Sequence, residues 1–158
     1  MMSKTREEAV WKRVMAAAES HPLPTVPRPG LTAARLLELL QWEALDACTY
    51  KTLACRMNGQ GRKCLLQLAR EEQRHARQLE TVIYLMTGSR PCPDRPKAPC
   101  VACTNEELRK RYQAEVDGAA DLHKLADHAG SFAELFHTMA MDEERHAAMI
   151  LHLLQMCL

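Results

Sequence analysis

Four glutamates and two histidines stand where a helical chain should place apolar residues. Glu43 lies between Leu39 and Ala47, Glu72 and His75 between Leu68 and Leu79, Glu115 between Tyr112 and Ala119, and Glu143 and His146 between Met139 and Ile150. Burying one unpaired carboxylate costs several kcal/mol, and four that converge would repel each other. Two divalent cations remove the conflict: their charge offsets the four carboxylates, and each neutral imidazole adds a nitrogen donor without adding charge. The i, i+3 spacing in Glu72-x-x-His75 and Glu143-x-x-His146 puts both side chains on one helix face, as a shared ion requires. The competing reading is a bundle whose polar layer is satisfied by hydrogen bonds alone.

Glu-x-x-His by itself is a weak signal. With 14 Glu and 7 His in the chain, about 0.6 matches arise by chance. A third match, Glu134 and His137, precedes Glu143 and His146 by nine residues, which is about half a rotation around the helix. That pair is expected to face outward, with Glu134 serving as a capping acid. The stronger signal is joint: four helical segments each interrupt their apolar stripe with Glu at a matching depth.

The segments follow from the breakers. The 158-residue chain reads as one all-α domain over 31–158, preceded over 1–30 by an extra helix, Ser3 to Ser20, and the stiff connector PLPTVPRPG. Bundle helices are expected from the N-cap Thr32 to about Asn58, from about Arg62 to Thr87 before Gly88, from Thr104 to about His128, and from Ser131 onward. Thr104 with Glu107, and Ser131 with Glu134, have the spacing of capping boxes. The expected inward stripes are Leu36, Leu39, Ala47, Ala54 and Met57; Leu65, Leu68, Leu79, Val82 and Met86; Leu108, Tyr112, Ala119, Leu122 and Ala126; and Phe132, Leu135, Met139, Ile150 and Leu153. Each Glu falls about 10 to 12 residues into its helix, so in a bundle of helices roughly 38 Å long the four meet near one level. The loop GSRPCPDRPKAPCVAC is long enough, at roughly 53 Å extended, to cross the bundle from end to end.

Composition limits the partners. A net charge of +1 gives no whole-chain field to recruit nucleic acid or an anionic membrane. No apolar run reaches the roughly 18 to 20 residues that a membrane span needs, and MMSKTREEAVWKRVM is too charged for a signal peptide, so a cytoplasmic location is expected. Seven cysteines, an odd number partly embedded in helical segments, fit unpaired thiols in a reducing compartment better than a disulfide framework.

At Ala69-Arg-Glu-Glu-Gln-Arg-His-Ala-Arg-Gln-Leu-Glu80 and Asp142-Glu-Glu-Arg-His-Ala147 the chain resembles the ferritin-like superfamily, and within it the rubrerythrin-type diiron domain, with a ligand pattern like that of bacterioferritin. The likeness covers about residues 32 to 157. Such bundles draw one Glu from each of two helices and Glu-x-x-His from each of the other two. The resemblance implies a ferritin-like four-helix bundle with a long crossover between its second and third helices, and two iron ions, with manganese or a mixed pair suiting the same ligands. It implies Glu43 and Glu115 as carboxylate ligands from the first and third bundle helices, Glu72 and Glu143 as the bridging pair, and His75 and His146 as one terminal nitrogen ligand per iron. Tyr50, seven residues after Glu43, matches the tyrosine that these proteins place beside the site; as a residue it also reads as an ordinary core tyrosine. The activity implied is reduction of hydrogen peroxide or dioxygen, with electrons from an external donor such as a rubredoxin-like protein, in a homodimer. An iron-handling ferroxidase without substrate turnover is the second reading, and a hydroxylase with an open pocket beside the metals a third.

There are departures. Gly118 stands where rubrerythrins carry another Glu, one turn beyond the third-helix ligand, which weakens the expectation of efficient peroxidase turnover. The rubredoxin domain with its two Cys-x-x-Cys pairs is missing, and the extra helix is N-terminal where ferritins carry one after the bundle, which argues against a storage cage. Cys92, Cys100 and Cys103 in the crossover loop read as plain loop cysteines or as a redox or metal group lacking a ligand. Cys55 and Cys64 flank the first turn, His123 is placed at the edge of the site or on a solvated face, and Trp11 and Val14 make the N-terminal helix amphipathic.

Overall fold

A computed structural model of the chain describes residues 31–94 and 96–156. The expected helix from Ser3 to Ser20, its connector, Trp11, Val14 and Cys157 lie outside the described residues. Within them the chain is all-helical: α1 (Ala33–Ala54), α2 (Gly59–Thr87), α3 (Thr104–Ala126), a 3-10 turn (Gly130–Phe132) and α4 (Ala133–Met156). None of these helices is long and apolar enough to cross a membrane.

The helix ends show which local signals held. Thr32 caps α1, its Oγ1 accepting from the Arg35 N–H at 3.1 Å. Gly88 ends α2 in the left-handed region, φ 73°, its N–H donating to the Tyr84 carbonyl. Three expectations need correction. Asn-Gly-Gln-Gly is not wholly turn: α2 begins at Gly59, three residues before the expected Arg62. A Cβ on Gly61 would lie 2.5 Å from the end of the Met57 side chain, so its glycine lets the turn close against the new helix. Thr104 is the first helical residue rather than the cap, which is an extended Cys103 with no side-chain bond. Glu107 turns forward to the Arg111 Nε at 3.2 Å, an ion pair along its own helix taking the place of the capping box. Ser131 likewise belongs to the 3-10 turn, and the last helix opens after it.

Side-chain pairs set the topology. Arg35 reaches Asp121 at 2.9 Å, Arg111 pairs with Asp46, and Arg56 donates to the Val101 carbonyl: as α1 rises in number its partners fall, so α1 and α3 run antiparallel. Glu71 with Arg145 at 3.0 Å and His75 with Asp142 at 3.2 Å show the same for α2 and α4. Short turns make α1–α2 and α3–α4 antiparallel hairpins, and their helices pack on one another. Helices α2 and α3 therefore point the same way, and the segment joining them travels the length of the bundle beside α1, where the Pro96 carbonyl meets the Cys48 thiol at 3.9 Å.

The core has two apolar ends. One gathers Leu36, Leu40, Leu79, Leu122, Phe136 and Met139; the other gathers Tyr50, Leu53, Leu65, Leu68, Leu108 and Ile150. Each fully buried leucine contributes on the order of 2 kcal/mol. Met86 leaves its expected stripe and is exposed, because α2, at 29 residues, outruns the 22-residue α1 it packs on. Between the two ends lies a buried polar layer of Glu43, Glu72, His75, Glu115, Glu143 and His146.

Candidate metal centre

The polar layer is built by one residue type at the middle of each helix. Helices α1 and α3 supply Glu43 and Glu115; α2 and α4 supply Glu72 with His75 and Glu143 with His146, each pair on one helix face. The ligand atoms form two overlapping groups, each close enough to hold a metal ion: Glu43, Glu72, His75 and Glu143, and Glu72, Glu115, Glu143 and His146. Glu72 and Glu143 belong to both.

Distances within each group are those of donors around one cation. The His75 Nδ1 lies 2.9 Å from Glu143, 3.3 Å from Glu72 and 3.5 Å from Glu43. The His146 Nδ1 lies 2.9 Å from Glu72, 3.3 Å from Glu115 and 3.9 Å from Glu143. Neighbouring donors bonded to one ion at about 2.1 Å stand roughly 3 Å apart. Both Nδ1 atoms, both Glu72 oxygens, Glu115 Oε2 and Glu143 Oε1 are nevertheless buried without a hydrogen bond. Buried polar atoms that face each other at contact distance with no donor aligned are costly unless a cation completes them. The layer therefore has the donor atoms and the spacing to hold a metal ion.

Electrostatics agree. Burial, with Glu72 adding to it, pushes the Glu43 carboxyl up to about 8, and burial together with neighbouring carboxylates raises Glu143 well above the usual range. Burial opposes ionisation of Glu72 as well, but the facing imidazoles of His146 and His75, at 2.9 and 3.3 Å, hold it at about 2. Burial works against both imidazolium ions and is overcome by the surrounding carboxylates: Glu143, Glu43 and Glu72 raise His75 strongly, and Glu115 and Glu72 raise His146 to about 11. Without a cation, this layer holds protons in its place.

Each imidazole is fixed from behind by a carboxylate of the opposite helix. The His75 Nε2 meets Asp142 at 3.2 Å, and the His146 Nε2 meets Glu71 at 2.7 Å. Asp142 is held by Arg74 and Arg145 at 2.5 and 2.6 Å, and Glu71 by Arg145 at 3.0 Å. An Nε2–H donated to a carboxylate leaves Nδ1 free to ligate and makes it more basic. The relation is reciprocal, since Glu71 precedes Glu72 and Asp142 precedes Glu143. Neither orienting acid emerges from the spacing of the stripes alone; the sign in the sequence is an acid immediately before each Glu-x-x-His. Asp142→Asn should weaken metal binding about 10- to 100-fold while leaving the saturated stoichiometry unchanged, measured by competition with a chelating dye. An unchanged affinity would mean that this bond does not set the ring.

Set against protein-family models, curated proteins and solved structures, the chain matches none. Tyr50, fully buried, donates its hydroxyl to Glu115, and burial followed by the Glu115 charge holds that phenol protonated well above its ordinary range. Glu134 and His137 are on the surface, as their half-turn offset requires. His123 points away from the layer, to His137 at 3.3 Å and Glu144 at 3.1 Å, so it does not border the site. The described cysteines are free thiols, and none joins a group able to hold a metal among the described residues.

Proposed function

We propose that the protein is a diiron-carboxylate oxidoreductase of the ferritin-like, rubrerythrin-type kind, reducing hydrogen peroxide or dioxygen with electrons from an external donor. The observation that carries this reading is the pair of overlapping ligand groups sharing Glu72 and Glu143. Four carboxylates balance two divalent ions, and a carboxylate-rich set with one imidazole per ion suits iron or manganese. Two irons held together would supply the two electrons that the reaction H2O2 + 2 e− + 2 H+ → 2 H2O requires.

The chain's own residues have definable parts. Glu72 and Glu143, which belong to both groups, would help to hold both ions; Glu43 and His75 would complete one group, Glu115 and His146 the other. Tyr50 orients Glu115 through its donated hydrogen bond. Asp142 and Glu71 hold the two rings in the tautomer that ligates through Nδ1. The leucine-rich ends close the layer to water from above and below, which strengthens the charge interactions inside.

Anaerobic titration of the metal-free protein with Fe(II), followed by peroxide or air, tests the reading. Two irons per chain and a visible diferric band formed faster with peroxide would support it; faster reaction with air would move the assignment to an oxidase or ferroxidase. Accumulation of many irons per chain would favour iron handling without turnover, and failure to take up stoichiometric iron or manganese would overturn the metal centre.

A further inference from the structure

Both imidazoles approach the polar layer from α2 and α4. On the opposite side, between α1 and α3, the layer borders a cavity of about 400 Å³ lined in part by Glu43 and Glu143. That volume is in the range of small-molecule sites. Leu39, Leu45, Leu122 and the half-exposed Trp42 make its apolar walls. It owes its reach inward to small residues of α3: Ala114 and Gly118 line it, and a Cβ on Gly118 would come 3.8 Å from Glu143 Oε2. The buried Glu143 Oε1 has no hydrogen-bond partner.

The lining is acidic as well as apolar. Five carboxylates, Glu43, Asp46, Asp117, Asp121 and Glu143, face it with one guanidinium, Arg111. Arg111 is already neutralised by Asp46 and Glu107. Arg35, 5.0 Å over the Trp42 ring, is taken up by Glu38 and Asp121. Asp121 is paired with Arg35 and Lys124 and Asp46 with Arg111, so with Glu43 and Glu143 compensated by metal Asp117, bonded to Gln113, is the lining carboxylate left without an ion pair, and an anion entering would find no free cation among the lining residues.

We propose that this cavity binds a small organic cation beside the metal centre, its apolar body between Leu39, Leu122 and Trp42 and its ammonium group toward Asp117. The inference deepens the diiron reading, giving the site an organic ligand in addition to an oxidant. A molecule so placed touches Glu43 and Glu143, while neither His75 nor His146 lines the cavity.

Trp42 reports occupancy directly. In the full-length Trp11→Phe variant it is the sole tryptophan, and its fluorescence is to be titrated with benzylamine, benzyl alcohol and benzoate, both metal-free and loaded with Zn(II). Saturable binding is expected in both forms, with benzylamine preferred over the alcohol by about two- to fivefold, the worth of one exposed ion pair, and benzoate excluded. Asp117→Asn should remove most of that preference. Ala114→Phe, which fills the cavity, should abolish binding while keeping helix content and metal stoichiometry. Equal binding of benzoate and benzylamine, or none of benzylamine at millimolar concentration, would overturn the proposal. Metal uptake without amine binding would sink the cavity assignment alone; amine binding without metal uptake would sink the metal centre alone.

Discussion

Glu72→Ala should strip the protein of both metal ions, whereas Glu134→Ala should leave binding untouched. The two residues open identical Glu-x-x-His spacings, and only position on the helix separates them. Glu72 is 1% exposed and contributes to both ligand groups; Glu134 is exposed on the first turn of α4. Removing a shared carboxylate takes a donor from each ion and one of the four balancing charges, so loss from two ions to fewer than about 0.2 per chain is expected at micromolar metal. Glu115→Ala should lose chiefly the ion on the His146 side. Metal analysis after gel filtration checks all three. Removing Glu72 also takes a counter-charge from His75 and His146 and lowers stability, but both apolar ends of the core remain to fold the bundle. Circular dichroism should show helix content retained. Equal losses from Glu72→Ala and Glu134→Ala would refute the assignment of faces.

The second large effect is the pH dependence of the metal-free protein, which should run against the usual trend. Glu43 and Asp46, ordinarily at 4.5 and 3.8, are pushed up to about 8 and about 7, in both cases first by burial. They bind protons more tightly folded than unfolded. Their contribution to stability is complete below the ordinary values and is lost as pH rises through the folded ones. Glu143 shifts in the same direction. His75 and His146 also move upward from 6.5, so their contribution fades as pH climbs above that value. Glu72 acts oppositely, losing its contribution as pH falls from 4.5 toward about 2, and Glu71 and Asp142, also lowered, act with it below the range of the test. Between pH 5 and 9 the metal-free protein should therefore lose stability, with a fall in Tm on the order of 10 °C. Saturation with Mn(II) should flatten the curve and raise it most at high pH, since the ion then replaces the protons. Thermal melts across this range decide it: a metal-free Tm that is flat, or that rises with pH, would contradict the electrostatics of the layer.

Much of this site was readable from residue order because a carboxylate interrupting an apolar stripe conflicts with helix amphipathicity, and such a conflict is visible without a structure. Glu43, Glu72, Glu115 and Glu143 each made that conflict, and all four are buried together with His75 and His146. Glu71 and Asp142 made none. They occupy faces where an acid is ordinary, and their role depends on which opposite helix comes into reach. The cavity beside Trp42 was equally hidden, being a gap between α1 and α3 left by small residues at Ala114 and Gly118 rather than a property of either helix. Capping at Thr104 failed for a local reason: Arg111, one turn on, competes for Glu107 and wins. The direction of α3 needed the pairs Arg35–Asp121 and Asp46–Arg111, which join residues distant in the chain.

The division of the bundle into α1–α2 and α3–α4 hairpins has a kinetic meaning. Each hairpin brings half of the site, Glu43, Glu72 and His75 from one, Glu115, Glu143 and His146 from the other. Contacts within a hairpin are local and form fast, while contacts between them must wait for closure of the segment that runs along α1. Docking is thus the step at which six ionisable groups leave water together. A chain that docks without a cation must gather protons at that step, and under the diiron reading proposed above metal would take their place.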